Sequence, residues 1–330
     1  MTSPIAIVGA GGWGTALAVT IARSDKTVRQ WVYEPDLAAA IRESRQNAVY
    51  LPGVHIPDSV HVSTSLEDVL TPCRTIIVAV PSHVFRSVID QIAPLARPDM
   101  TFVSAAKGIE NQTLMRMSEV IGDVLGSAHV AVLSGPTFAP EVARGEPTAL
   151  VIASPDETIR RALQTELSSP RFRLYTNSDV VGVEIGAAVK NIIAIAAGVV
   201  DGLGFGSNVT AALVTRGLAE ITRLAVACGG RRETLAGLTG LGDLALTCYG
   251  TLSRNRQVGI ALGRGLKPEE ITGTMRTVAE GVKTTKSTVD LAHKLRVEMP
   301  IVEKMYSVLY EGLQPHEAIN ELMERKLKEE

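Results

Sequence analysis

Ile5-Ala6-Ile7-Val8-Gly9-Ala10-Gly11-Gly12-Trp13-Gly14-Thr15-Ala16-Leu17-Ala18 is the stretch that decides the fold. Four apolar residues without polar alternation read as a strand buried on both faces. Gly9, Gly11 and Gly14 then form a GxGxxG string that opens a helix, read over Thr15–Arg23. Gly9 permits the tight turn, Gly11 lets backbone approach a pyrophosphate, and Gly14 allows the helix to pack close to the strand. The helix start offers unpaired N–H groups and a partial positive charge to phosphates. A glycine turn alone can be purely structural; the strand before it and the helix after it make it a dinucleotide fingerprint.

Outward from this turn, short apolar runs alternate with helical patterns. Val28–Val32, Thr75–Val80, Thr101–Ala105, Val130–Leu133 and Ala149–Ala153 read as further buried strands, and Asp36–Arg45 as a helix. Such alternation predicts a parallel, doubly wound α/β sheet. After about Val180 the pattern changes to helices: Val183–Val200, Thr210–Cys228, Ser253–Leu262, Thr284–Leu295, Ile301–Tyr310 and His316–Lys326. The expected organisation is an α/β dinucleotide-binding domain over residues 1–182 and an all-α substrate-binding and catalytic domain over 183–330. The length of 330 residues suits two domains at roughly 100–200 residues each.

The chain carries 33 basic and 35 acidic residues, a net charge of −2 with His neutral, so nucleic acid is not an expected partner and any anion site must be local. Cys73, Cys228 and Cys248 form no CxxC pair, which argues against zinc or a disulfide framework and for a reducing cytoplasm. The start of the chain shows no signal-peptide pattern. The apolar stretch Ile185–Val200 contains Lys190 and Asn191 and is shorter than the ~20 residues of a membrane span, so a buried helix is expected and no span.

Several polar residues stand where chemistry could use them. Glu34 follows the second strand about 20 residues past the glycines, the place of a carboxylate that binds the adenosine ribose; it favours NAD over NADP, because a 2′-phosphate would meet like charge. Its bland alternative is a solvated strand end. Ser104-Ala105-Ala106-Lys107-Gly108 and Ser134-Gly135-Pro136-Thr137-Phe138-Ala139 lie at strand carboxyl ends, where open α/β sheets bind ligands. Lys107 there could meet a phosphate or carbonyl oxygen; otherwise it is a surface charge. Lys190 sits on a helix apolar nearly all round, a costly place unless the lysine is paired or used. Desolvation of such a lysine favours proton exchange near neutrality; the alternative is a snorkelling or salt-bridged lysine, with Glu184 as its partner. Gly240-Leu241-Gly242-Asp243-Leu244 reads as a turn into a helix with Asp243 as candidate cap, and Ser253-Arg254-Asn255-Arg256 as a helix start suited to a phosphomonoester.

Taken together, these segments resemble the NAD(P)-dependent glycerol-3-phosphate dehydrogenase family of bacterial type. The resemblance runs in order through GAGGWGTALA (9–18), VAVPSH (78–83), AKG (106–108), LSGPTFAPEVA (133–143), GAAVKNIIAIAAG (186–198), DGLGFG (201–206), ALVTRGLAEITRL (212–224), GLTGLGDLALTC (237–248), SRNRQVG (253–259), AEGVKTT (279–285) and EMPI (298–301). It implies a Rossmann-like domain followed by an all-α domain. The activity implied is reversible hydride transfer between NAD(P)H and dihydroxyacetone phosphate, giving sn-glycerol 3-phosphate for phospholipid synthesis. Cofactors would be NAD(H) and/or NADP(H), with no metal; the partner is the substrate, and the oligomeric state stays open, a homodimer among the options.

Carried over by position, the resemblance makes Lys190 the proton donor and acceptor. Lys107, Gly135, Thr137, Asp243, Ser253, Arg254 and Asn255 match substrate positions. Gly9, Gly11, Gly12, Trp13, Gly14, Tyr33, Glu34, Lys107, Ala139, Arg254, Val278 and Glu280 match or flank cofactor positions. Gly12 stands where serine is common, and Val32-Tyr33-Glu34 where many relatives carry His or Arg, which tilts the expectation towards NAD. Two rivals remain at this level: a hydroxy-acid dehydrogenase of similar layout, and a binding module that senses NADH without turnover.

Overall fold

In a computed structural model the described residues are 3–126, 128–274 and 279–326, with side chains of 272–274 excepted. The chain divides into two compact units, Met1–Lys107 with Met115–Glu184, and Gly108–Leu114 with Ile185–Glu330.

Among the described residues the first unit holds ten strands: β1 (Ile5–Val8), β2 (Val28–Trp31), β3 (Gln46–Asn47), β4 (Leu51–His55), β5 (Val60–Ser63), β6 (Thr75–Val78), β7 (Thr101–Ser104), β8 (His129–Ser134), β9 (Thr148–Ala153) and β10 (Phe172–Asn177). Between them run α1 (Gly12–Ala22), α2 (Pro35–Ser44), α3 (Leu66–Leu70), α4 (Phe85–Ile92), α5 (Met117–Leu125), α6 (Ala139–Arg144) and α7 (Glu157–Leu167). Eight strands form one sheet in the order β10-β9-β8-β7-β6-β1-β2-β5, and β3 and β4 make a separate hairpin. The alternation of side chains along β1 explains the burial on both faces. Ile5 and Ile7 join a core with Leu17, Ile21 and Ile41 from α1 and α2. Ala6 and Val8 join the opposite core with Phe85, Ile89 and Val120 from α4 and α5.

The sheet is parallel from β5 through β8, but β8 and β9 pair antiparallel, against the wholly parallel expectation. Across the connection that holds the six-residue α6 the chain re-enters near where it left, with Leu133 opposite Ile152, and β10 returns parallel to β9 after α7. The order reverses between β1 and β6, so the crevice outside their carboxyl ends is the ligand position expected of such sheets.

The second unit is helical: most of α8 (Val180–Gly202), then α9 (Ser207–Ala227), α10 (Arg232–Leu235), α11 (Asp243–Tyr249), α12 (Arg254–Gly263), α13 (Pro268–Thr274), α14 (Glu280–Leu295), α15 (Pro300–Tyr306) and α16 (Pro315–Met323). Helix α8 starts three residues before the expected Val183, because the Asp179 carboxylate accepts the Gly182 N–H at 2.8 Å and fixes the first turn. At 23 residues it is longer than the sequence pattern suggested, and long and apolar enough by length and composition to cross a membrane. Of its most apolar window, 89% is buried inside the protein, as in a core helix.

Glycines let α8 and α12 cross almost in backbone contact. A Cβ on Gly198 would lie 2.0 Å from the Arg256 carbonyl oxygen, and one on Gly259 would lie 1.9 Å from that of Ile195. This close crossing sets the start of α12 beside the middle of α8, where Asn255 Nδ2 donates to Asn191 Oδ1 at 3.0 Å.

Candidate active site

The polar residues form two groups, one in each unit. In the first unit the glycine turn has the geometry its sequence demands. Gly9 holds φ +116°, a backbone state open to glycine, and its missing Cβ would meet the Ala79 carbonyl at 2.8 Å. A Cβ on Gly14 would stand 2.3 Å from the Gly9 carbonyl oxygen, so helix and turn can touch only here. Gly11, by contrast, faces open space: nothing lies within 4 Å of where its Cβ would be. It is also the N-cap of the 11-residue α1 and provides no side-chain cap. The result is an open cradle at an uncapped helix start, the arrangement a pyrophosphate fits. Trp13 Nε1, buried beside it, finds no hydrogen-bond partner among the described residues. Ala139, at the start of α6, brings its Cβ to 3.8 Å from the Gly12 Cβ position.

At the end of β2, Tyr33 is 72% exposed with its ring edge-on to Trp31. Glu34 is half-buried at the N-cap of α2 and accepts a hydrogen bond from Tyr50 Oη at 3.1 Å. Lys107, Gly135 and Thr137 come together: Lys107 Nζ donates to the Gly135 carbonyl at 3.1 Å and to Thr137 Oγ1 at 3.4 Å. They sit just beyond the carboxyl ends of β7 and β8.

In the second unit Lys190 is 4% exposed, yet its Nζ donates to Asp243 Oδ1 at 2.6 Å and to Thr247 Oγ1 at 2.7 Å. Asp243 is itself 0% exposed, so its carboxylate and the ammonium balance each other's charge out of water. Thr247 gives its own proton to the Asp243 carbonyl at 2.6 Å, one helical turn back, and keeps a lone pair for the lysine. The expected partner of Lys190, Glu184, is engaged elsewhere: it takes Arg116 at 2.5 Å, Ser118 N at 2.8 Å and Ser118 Oγ at 2.6 Å. Six residues along a helix turn the side chain through about 240°, so the two residues face different ways. Burial pushes the Glu184 carboxyl up, against the pull of Arg116 and Ser118.

Asp243 is not a cap. The π-helical turn Leu238–Gly242 runs straight into α11 and Gly242 is already helical at φ −61°, ψ −51°, so no capping position remains. Ser253 is the cap at the second motif, accepting Arg256 N at 3.2 Å. Arg254 is exposed at the first position of α12, while Arg256 pairs with Asp201 at 2.9 Å. Asn255 accepts the Gly281 N–H at 3.0 Å, tying α12 to the start of α14, where Glu280 stands. Val278 lies outside the described residues. Sequence reading missed Thr247, although its i+4 spacing from Asp243 puts both on one helix face. It also missed Asn47 and Tyr50, which lie in a hairpin without a motif. A shallow concavity of about 530 Å³ on α9 and α10, lined in part by Arg223 and Arg232, contains none of the residues above.

Residues 4–160 match the family described as NAD-dependent glycerol-3-phosphate dehydrogenase N-terminus, and residues 179–320 match its C-terminus. A Koribacter versatilis protein named glycerol-3-phosphate dehydrogenase, NAD(P)+, is 54% identical over 328 residues, 98% of this chain and 97% of that protein. One from Geobacter sulfurreducens with the same name is 50% identical over 333 residues, 100% of this chain and 99% of the relative. The crystal structure of glycerol-3-phosphate dehydrogenase from Coxiella burnetii superposes with a TM-score of 0.95 at 42% identity, covering 98% of this chain and 99% of that one.

Proposed function

The chain belongs to the NAD-dependent glycerol-3-phosphate dehydrogenase family, and we propose how its own residues divide the work of the reaction. It is an oxidoreductase that interconverts dihydroxyacetone phosphate and sn-glycerol 3-phosphate with NAD(P)H. Both rival readings, a hydroxy-acid dehydrogenase and a sensor without turnover, give way to this.

The observation that carries the assignment of roles is the buried triad of Lys190 on α8 with Asp243 and Thr247 on α11. NAD(P)H, when bound, supplies the hydride to the carbonyl carbon. Lys190 gives a proton from Nζ to the carbonyl oxygen as negative charge develops there, and takes it back in the oxidative direction. A positioned acid of this kind contributes typically about 10²–10⁴ in rate. Asp243 keeps the ammonium charged in its dry surroundings, and Thr247 fixes its direction. Ser253, Arg254 and Asn255, at the start of α12, grip the substrate phosphate, the exposed guanidinium of Arg254 supplying charge. Asn255 is held for this by Asn191 and Gly281.

In the nucleotide-binding unit, the open cradle at Gly11 and the uncapped start of α1 receive the pyrophosphate. Glu34 accepts the adenosine ribose hydroxyls, Tyr33 lies against the adenosine, and Ala139 borders the turn. Lys107, Gly135 and Thr137 form one polar cluster for substrate and cofactor oxygens; Arg254, Val278 and Glu280 complete the cofactor set. Residues 1–182 are the dinucleotide-binding domain and 183–330 the substrate and catalytic domain in this reading. The carboxylate at Glu34 makes NAD the preferred form. We place the enzyme in the cytoplasm, whose reducing conditions suit cysteines held as thiols, such as the buried Cys73 and Cys248, and its product in glycerophospholipid synthesis. The test is oxidation of NADH and of NADPH with dihydroxyacetone phosphate beside 2-keto acids. Turnover restricted to the phosphate ester, faster with NADH, is expected; turnover of the keto acids alone would overturn the reading.

A further inference from the structure

The short segment 47–50, from the end of β3 to the start of β4, reaches both cofactor-binding elements of the first unit. Asn47, 0% exposed, donates from Nδ2 to the Ala10 carbonyl at 2.8 Å and to Thr15 Oγ1 at 2.9 Å, so it is anchored in the glycine turn and the first helical turn after it. Its Oδ1 accepts the Tyr50 N–H at 3.0 Å and thereby orients Tyr50. The Tyr50 carbonyl closes over Gly12, where a Cβ would stand 2.9 Å from it, so the glycine leaves room for this approach. The other end of the same residue, Oη, donates to Glu34 Oε1 at 3.1 Å. One turn thus links the pyrophosphate cradle after β1 to the carboxylate after β2.

We propose that Tyr50 is a positioning residue for cofactor specificity: anchored through Asn47 to the glycine turn, its hydroxyl holds the Glu34 carboxylate where it meets an unphosphorylated adenosine ribose. The inference rests on the reading that Glu34 takes the ribose hydroxyls. A glutamate side chain alone loses much rotamer freedom on binding, and a partner that fixes it beforehand removes part of that cost. The fixed carboxylate also cannot swing aside to admit a 2′-phosphate, so the same bond favours NADH and disfavours NADPH. Burial, and then the Glu34 carboxylate, push the Tyr50 phenol up, which keeps it a donor at neutral pH.

Tyr50→Phe keeps the ring, which packs on the core, and removes only the hydroxyl. Dissociation constants for NADH and NADPH, from nucleotide fluorescence titrations of the full chain, are compared for wild type, Tyr50→Phe, Glu34→Ala and the double variant, with kcat and Tm measured alongside. Tyr50→Phe should weaken NADH by about 3–10-fold, the range for the net contribution of one ordinary hydrogen bond, since Tyr50 acts on the nucleotide only through Glu34, and weaken NADPH by less than about two-fold. Its kcat should stay near wild type. In the Glu34→Ala background, where the acceptor is gone, the same change should do little, because the two residues act through one bond. Equal weakening of both nucleotides, no weakening, or a full effect in the Glu34→Ala background would each overturn the role of Tyr50. If Glu34→Ala lowers NADH preference while Tyr50→Phe does not, only the present inference falls. If neither variant changes the preference, the Glu34 reading falls and takes this one with it.

Discussion

Replacing Lys190 by methionine keeps most of the side-chain volume and removes the proton, but it does a second thing. Asp243 is fully buried and its carboxylate lies 2.6 Å from Lys190 Nζ. Lys190→Met leaves that carboxylate in the interior without its counter-charge, and breaking a buried pair in this way costs about 3–5 kcal/mol. At roughly 2–4 °C per kcal/mol this is on the order of 10 °C in Tm. Lost activity in the single variant could therefore be read as lost folding. Lys190→Met/Asp243→Asn removes both charges, keeps the shape of the aspartate and leaves Thr247 donating to the residue 243 carbonyl. Its Tm should recover most of the loss. Both variants should lose about 10²–10⁴ in kcat for dihydroxyacetone phosphate reduction, followed by NADH absorbance, and both should still bind NADH in titrations. A double variant with wild-type Tm and near-wild-type kcat would refute the assignment of Lys190, and Lys107 would become the next proton donor to test.

Glu34→Arg should raise kcat/KM for NADPH relative to NADH, because it replaces a repelling carboxylate by a guanidinium suited to a 2′-phosphate; an unchanged ratio in steady-state assays would make Glu34 a solvated strand end. Arg254→Ala should raise KM for dihydroxyacetone phosphate roughly ten- to a hundred-fold, the equivalent of about 1.5–3 kcal/mol for a charged hydrogen bond, with Tm unchanged since the side chain is exposed. Substrate saturation at wild-type concentrations would place the phosphate elsewhere. Glu220, buried under the start of α15, accepts the N–H groups of Ile301 at 2.9 Å and Val302 at 3.3 Å. Burial pushes its carboxyl up to about 7, against those donors and Arg223, which pull it down. A carboxyl raised on folding takes up a proton in the folded state, so its stabilisation is full below about 4.5 and is lost as pH rises through about 7. Tm should accordingly fall between about pH 5 and about pH 8, and Glu220→Gln should flatten that fall; equal slopes would show that Glu220 ionises in the folded protein as easily as in the unfolded chain.

What the sequence determined by itself is what depends on neighbours along the chain. The glycine turn at Gly9–Gly14, the apolar strands, the helix start at Ser253 and the apolar surroundings of Lys190 follow from local sterics and periodicity. The resemblance, carried by many short motifs in order, added the family and hence the reaction. Tertiary structure alone decided which charge meets which. Glu184 lies six residues from Lys190 but faces another way and binds Arg116, whereas Asp243, 53 positions distant, arrives at 2.6 Å through the packing of α11 against α8. Helical spacing can place two residues on one face, but it says nothing of what a second helix brings there. The same limit hid Asn47 and Tyr50. A two-residue strand and its turn carry no periodicity, and their role exists only because the hairpin folds onto the glycine turn. It hid the reversal at β9 as well, since a strand's own residues read alike in either direction.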